Sequence, residues 1–158
     1  MSGGSDRLTV NGQPVPLAAV PDDERLLDTL RWRLGLRGTK EGCRAGACGS
    51  CTVLVDGASR LSCLTLTHEL AGGSVTTIEG AGGDPIARQV QEAFQEAGAL
   101  QCGYCTPGFV LAIAGALREL GPASSTPELL GGLGGNLCRC TGYAAIVRAA
   151  ERARGGLR

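Results

Sequence analysis

Eight cysteines, at positions 43, 48, 51, 63, 102, 105, 138 and 140, constrain this 158-residue chain more than any other feature. They fall into two sets of four. Cys43, Cys48, Cys51 and Cys63 give C-x4-C-x2-C-x11-C. Cys102, Cys105, Cys138 and Cys140 give C-x2-C, a 32-residue gap, then C-x-C. The opening Met1 to Asp6 lacks the basic n-region and apolar h-region of a secretory signal, so a cytoplasmic protein is expected. In that compartment thiols stay reduced, and so many cysteines point to metal rather than to disulfides.

The first three cysteines match the plant-type ferredoxin loop for a [2Fe–2S] cluster, with the fourth ligand further along the chain. Three thiolates from one tight loop must converge from different directions. Glycine tolerates the backbone angles this needs, and the loop Gly42 to Cys51 carries Gly42, Gly46 and Gly49. Its N–H groups can then point at the sulfurs and help to set the potential. The second set sits just before two helix starts, Thr106-Pro107 and Thr141-Gly142. Helix N-termini offer free N–H groups and partial positive charge to an anionic cluster. Structural zinc on Cys48, Cys51, Cys102 and Cys105 would strand the other four thiols.

Other functions find little support. The 15 basic and 15 acidic residues cancel, and neither half has the basic excess that nucleic acid or an anionic membrane would favour. The longest apolar run, Phe109 to Leu117, is far short of the roughly 20 residues that span a bilayer. His68 is the single histidine, so no Ser–His–Asp set can be built, and there is no phosphate-binding loop. No cysteine ligand is missing that His68 would have to replace. No catalytic residue is assigned on this chain.

The pattern predicts an α+β fold. Asn11-Gly12 between two apolar segments predicts a hairpin, with Pro14 and Pro16 placing the second strand at an edge. Asp22 or Asp23 is expected to cap a helix whose face is Leu26, Leu27, Leu30 and Leu34, with Trp32 packing and Gly35 as the stop. Thr52 to Val55 and Ser74 to Ile78 read as strands, with a turn at Asp56-Gly57. After residue 80 the period becomes helical: Ile86 to Ala97, Thr106 to about Leu120, a short helix from Thr126-Pro127, and about Tyr143 to Arg154. Thr106 is read as an N-cap. Gly131, Gly132, Gly134 and Gly135 should weaken the third helix by roughly 1 kcal/mol each. Two domains follow, 1–81 and 82–158.

Four segments carry a more specific signal: Gly38-Thr39-Lys40-Glu41-Gly42-Cys43, Cys48-Gly49-Ser50-Cys51-Thr52-Val53, Gln101-Cys102-Gly103-Tyr104-Cys105-Thr106-Pro107-Gly108 and Gly135-Asn136-Leu137-Cys138-Arg139-Cys140-Thr141-Gly142-Tyr143. With them the chain resembles the small iron–sulfur subunit of the molybdenum hydroxylase family, which includes xanthine dehydrogenases and aerobic carbon monoxide dehydrogenases. The match runs roughly from residue 7 to 153. It departs at Arg44 and Ala45, where the family often has small or acidic residues.

The resemblance implies a β-grasp ferredoxin domain followed by a four-helix bundle. It implies two [2Fe–2S] clusters on the eight cysteines, the bundle cluster near a molybdenum cofactor and the ferredoxin-like cluster toward FAD. Electrons then run from the molybdenum cofactor through the two clusters to FAD. Gln101 corresponds to the family glutamine that hydrogen-bonds the pterin, and Cys140 to the ligand whose surroundings touch it. Molybdenum and FAD would sit on a large subunit and a flavin-binding subunit, giving a heterotrimer whose dimerisation stays open. The alternative is a freestanding ferredoxin-like carrier, for which the second cluster is superfluous.

Overall fold

The computed structural model describes residues 6–157. Met1 to Ser5, which entered the reading for a secretory signal, lie outside the described residues, as does Arg158. The strands are β1 (Arg7–Val10), β2 (Gln13–Pro16), β3 (Thr52–Val55), β4 (Ala58–Leu61) and β5 (Ser74–Thr76). They form one sheet in the order β2-β1-β5-β3-β4. β1 and β5 run parallel and the other neighbours antiparallel. The helices are α1 (Leu26–Asp28), α2 (Pro85–Glu96), α3 (Thr106–Leu120), α4 (Thr126–Gly131) and α5 (Ala144–Gly156). The fold is therefore α+β.

The β1–β2 turn has φ of 50° at Asn11 and 79° at Gly12, the left-handed pair that the sequence predicts. β2, with Pro14 and Pro16, is an edge strand as expected, since proline cannot donate to a ladder on both sides. β4 has no sequence signal. Its residues are exposed or half-buried, so no apolar alternation marks it.

The first helix departs from expectation. Neither Asp22 nor Asp23 caps it; Arg25 occupies the cap position without a side-chain hydrogen bond. Tertiary carbonyls do the work instead. Leu26 N–H donates to Thr65 O at 2.8 Å and Leu27 N–H to Ser62 O at 3.1 Å. The helix then widens into a π turn over Thr29–Arg33, closed by Leu34 N–H to Thr29 O at 3.0 Å. Leu26, Leu27 and Leu30 are fully buried. The wider turn brings Trp32 out to 62% exposure rather than into the core. The Arg31 and Arg37 guanidiniums lie 5.4 and 5.8 Å from its ring centre.

Two apolar cores lie on opposite faces of the sheet. Leu8, Val10, Val53, Val55 and Val75 meet Leu26 and Leu30 in the smaller one. Leu54 points the other way, into the larger core built by Phe94, Phe109, Leu111, Ile113, Leu117, Leu129 and Ile146. β3 is thus buried on both faces. α3 lies against β3 and β4, with Ser59 Oγ of β4 donating to Leu111 O and Ala112 O at 3.4 Å each. α3 also packs on α2 and α4, and α5 packs on α2 and α4.

α4 starts at Thr126 as the sequence predicts, while the starts of α2, α3 and α5 are each one step from the expected residue. Thr106 is the first helical residue of α3, and Cys105 takes the cap position. Ser125 caps α4, sharing a reciprocal capping box with Glu128. Gly132, Gly134 and Gly135 fall beyond the end of α4, so their helix penalty does not arise; the helix is short, as expected.

Asp84 caps α2, accepting from Ile86 N–H and Ala87 N–H at 3.0 Å each. It also pairs with Arg118 of α3 at 2.6 Å. Burial alone would raise its pKa, but the two amides and Arg118 outweigh burial and lower it. Asp84→Ala is expected to cost about 1–2 kcal/mol. Because the folded-state pKa is depressed, that contribution is present above the ordinary carboxylate pKa. It is lost as pH falls through the depressed value. Urea melts of both proteins at neutral and at acidic pH check this: the gap between them should close in acid.

Candidate metal centres

All eight cysteines are free thiols. The structure brings them together in pairs, Cys43 with Cys48, Cys51 with Cys63, Cys102 with Cys140 and Cys105 with Cys138.

In the first set, Cys43 and Cys48 lie in the loop before β3, Cys51 immediately precedes β3, and Cys63 follows β4. The β3–β4 register pairs Thr52 with Leu61. That brings Ser62 beside Cys51, whose carbonyl accepts from the Ser62 hydroxyl at 2.8 Å. Cys63 then packs with Cys51 and Leu27 in a small buried cluster. Cys51 and Cys63 are 2% and 1% exposed, whereas Cys43 is open to solvent.

The loop turns its amides onto sulfur. Ala47 N–H reaches Cys43 Sγ at 3.2 Å and Ala45 N–H at 3.4 Å, while Cys43 N–H reaches Cys48 Sγ at 3.4 Å. The amides of Ala45 and Ala47, with Cys48, bring the Cys43 thiol down to about 6. Burial pushes Cys51 up to about 11. The loop enters the left-handed region at Gly46 and Gly49, as expected, and also at Arg44, with φ 53°; Gly42 stays outside it and instead leaves room for Cys48 Sγ, which a Cβ there would meet at 2.5 Å. Arg44 is held there from both ends. Its guanidinium pairs with Asp28 and, at 3.6 Å, with Glu41, and its carbonyl accepts from Arg25 at 3.2 Å. The departure at Arg44 is therefore a brace for the loop.

In the second set, Cys105 caps α3, and Cys138 and Cys140 lie in the segment before α5. Cys102 and Cys140 stand 3.4 Å apart, sulfur to sulfur, and Cys105 meets Cys138. Thr141 N–H donates to Cys138 Sγ at 3.3 Å. Burial drives Cys105 up to about 12. Burial also pushes on Cys138, but hydrogen bonds from Thr141 and Cys140 outweigh it and hold that thiol at about 7. The Tyr104 amide lowers Cys102, while the neighbouring Cys102 sulfur raises Cys140. One helix end meets the set directly, through Cys105. α5 begins at Ala144, beyond Cys140, so loop amides rather than its own first turn serve Cys138.

Tyr143 packs edge-on to Phe109 at 6.3 Å, and its hydroxyl accepts from Cys138 N–H at 2.9 Å. It packs on α3 and adds a hold on the ligand loop. The Tyr104 hydroxyl crosses to the other set and donates to Glu41 O at 2.5 Å. Gln101 and Cys140 are both exposed, beside Cys102. Arg139 is exposed. His68 lies away from the thiols, within 2.7 Å of Val20 O. Asn136 escaped the sequence reading, although it lies within the last of the four motif segments. It is 7% exposed, and nothing in the local pattern marks a buried asparagine.

Among the described residues no three His, Cys, Asp or Glu side chains converge on one point as they would for a single ion. The thiols meet in pairs instead. Residues 8–72 match the 2Fe–2S iron–sulfur cluster binding domain, and residues 77–151 match the [2Fe–2S] binding domain. A probable xanthine dehydrogenase subunit of Bacillus subtilis is 47% identical over 94% of this chain and 84% of its own length. The chain belongs to the small iron–sulfur subunits of the molybdenum hydroxylase family. A chain of quinoline 2-oxidoreductase from Pseudomonas putida superposes with a TM-score of 0.77 and 42% identity over 96% of both chains. The aldehyde oxidoreductase of Desulfovibrio gigas superposes with a TM-score of 0.85 at 36% identity, over 94% of this chain and 16% of that longer one.

As a member of this family the chain carries two [2Fe–2S]-binding domains and serves electron transfer within a multi-subunit oxidoreductase. Among its described residues no helix is long and apolar enough to cross a membrane.

Proposed function

We propose that Cys43, Cys48, Cys51 and Cys63 hold one [2Fe–2S] cluster and Cys102, Cys105, Cys138 and Cys140 the other. The observation that supports this is the pairing of eight free thiols, each pair within one of the two spacing motifs, with backbone amides turned onto sulfur. Each cluster, when bound, accepts and releases one electron. The protein's part is to supply thiolates, point N–H groups at them and keep the cluster anchored. Cys51 and Cys105, raised by burial, would give up their protons on binding iron.

In this reading residues 1–81 are a β-grasp ferredoxin domain and residues 82–158 a four-helix bundle. The partners are a large molybdenum-cofactor subunit and a flavin-binding subunit, assembled in the cytoplasm. Gln101 and Cys140 are proposed to meet the pterin, and their exposure beside Cys102 supports that. Leu100, Tyr104, Leu137 and Tyr143, all exposed around this set, favour a lasting partner over a freestanding carrier.

Chemical analysis tests the assignment. The expected content is about four irons and four sulfides per chain, from two clusters each on four cysteines. Stoichiometric zinc without sulfide refutes it. The loaded chain alone is expected to oxidise no substrate, with activity appearing once the molybdenum and flavin subunits are added.

A further inference from the structure

The two cysteine sets are joined by a small hydrogen-bonded junction centred on the Gly49 carbonyl. Asn136 Nδ2 donates to Gly49 O at 3.0 Å, from a side chain that is 7% exposed. The next residue donates to the same loop: Leu137 N–H meets Cys48 O at 3.0 Å. Thr52 donates to Gly49 O from its amide at 3.1 Å and its hydroxyl at 2.7 Å. Gly108, in the first turn of α3, closes the far side. A Cβ there would come within 2.3 Å of Gly49 O. A Cβ on Gly49 itself would strike Asn136 at 2.5 Å. Each partner lies next to a thiol: Gly49 follows Cys48, Leu137 precedes Cys138, and Gly108 follows Cys105 by three.

We propose that Asn136 is a positioning residue that locks the Cys48–Cys51 loop to the Cys138–Cys140 loop, holding the two metal centres at one fixed separation. The physical case rests on burial and on the kind of bond. An amide side chain this buried is kept only where its N–H group is satisfied. Gly49 O already accepts from Thr52, so folding of the ferredoxin-like half does not need Asn136. What Asn136 adds is a link between residues 87 positions apart in sequence. Its donation also orients the following Leu137 amide onto Cys48 O. The proposal rests on the two-cluster reading for what is being spaced, but the junction itself is made of this chain's own atoms.

Hydrogen exchange on the iron-loaded subunit tests it, together with low-temperature EPR of the reduced protein. Asn136→Ala removes the donor, and Asn136→Asp keeps the shape while replacing the donor with an acceptor. In both, the Leu137 amide is expected to exchange about tenfold faster, the loss of roughly one hydrogen bond. The magnetic splitting between the two centres should weaken in both, with both signals still present. Unchanged exchange and unchanged splitting overturn the proposal. Normal behaviour of Asn136→Asp beside an altered Asn136→Ala also overturns it, since shape alone would then suffice. Loss of one cluster in both variants overturns it too, because Asn136 would then serve binding and not spacing. Absence of iron and sulfide from the unmutated protein instead removes the two-cluster reading. The exchange of Leu137 would still decide whether Asn136 locks the loops.

Discussion

Cys48→Ala is expected to abolish one EPR signal of the reduced protein and leave the other intact, and Cys102→Ala to do the reverse. The reason is geometric. The neighbouring thiols pair within each proposed set, Cys51 with Cys63 and Cys102 with Cys140. Cys48 stands beside Cys43, whose amide it receives, so its loss opens the loop on that side while leaving Cys102 and Cys140 in contact. Each variant should retain about half the iron and half the sulfide, as expected when one of two four-cysteine sites is lost. Loss of the same signal in both variants would show that the partition is wrong. Loss of both signals in each would show that the centres assemble only together.

Phe109→Ala carries the largest expected change in stability. The ring is 1% exposed, lies one turn after Cys105 on α3, and meets Tyr143 edge-on. Tyr143 in turn accepts from Cys138 N–H. Removing the ring empties the place where α3 meets the segment before α5. The expected cost is about 3–5 kcal/mol, the range for truncating a buried aromatic residue. For a chain of this size that corresponds to a fall in melting temperature on the order of 10 °C. The cavity also removes the surface on which Tyr143 rests, so the second set should release its iron earlier on heating than the first. Circular dichroism reports the fold and visible absorbance the metal in one temperature ramp. A melting temperature within a degree or two of the unmutated protein would contradict the packing described for Phe109.

Much of this was legible in the residues. The cysteine spacing divides the thiols into two proposed sets, and every pair of neighbouring thiols in the structure falls within one of them. Asn11-Gly12 makes its turn because both residues must take positive φ and both can. The period of Ile86 to Ala97 and the proline after Thr106 place two helices to within a residue or so. These features are local: each depends on backbone preferences over a few positions or on the side-chain chemistry of neighbours in sequence.

What escaped the sequence depends on groups far apart in the chain. The first helix takes its N-terminal acceptors from Ser62 and Thr65, so neither Asp22 nor Asp23 is needed as a cap. The π turn that exposes Trp32 has no marker in its own residues. β4 is a strand because β3 offers it a ladder, not because its sequence alternates. Arg44 holds a left-handed backbone through ion pairs with Asp28 and Glu41.

The sequence by itself determined the kind of chemistry, an iron–sulfur protein with eight cysteines in two spacing motifs, because residue identity and local spacing are covalent facts. Only the tertiary structure decided how the sets relate. Tyr104 reaches Glu41, Leu137 reaches Cys48 and Asn136 reaches Gly49 across 63 to 89 positions of chain. Hydrogen bonds of that span form only once the sheet and α3 have packed, so no window of sequence can contain them.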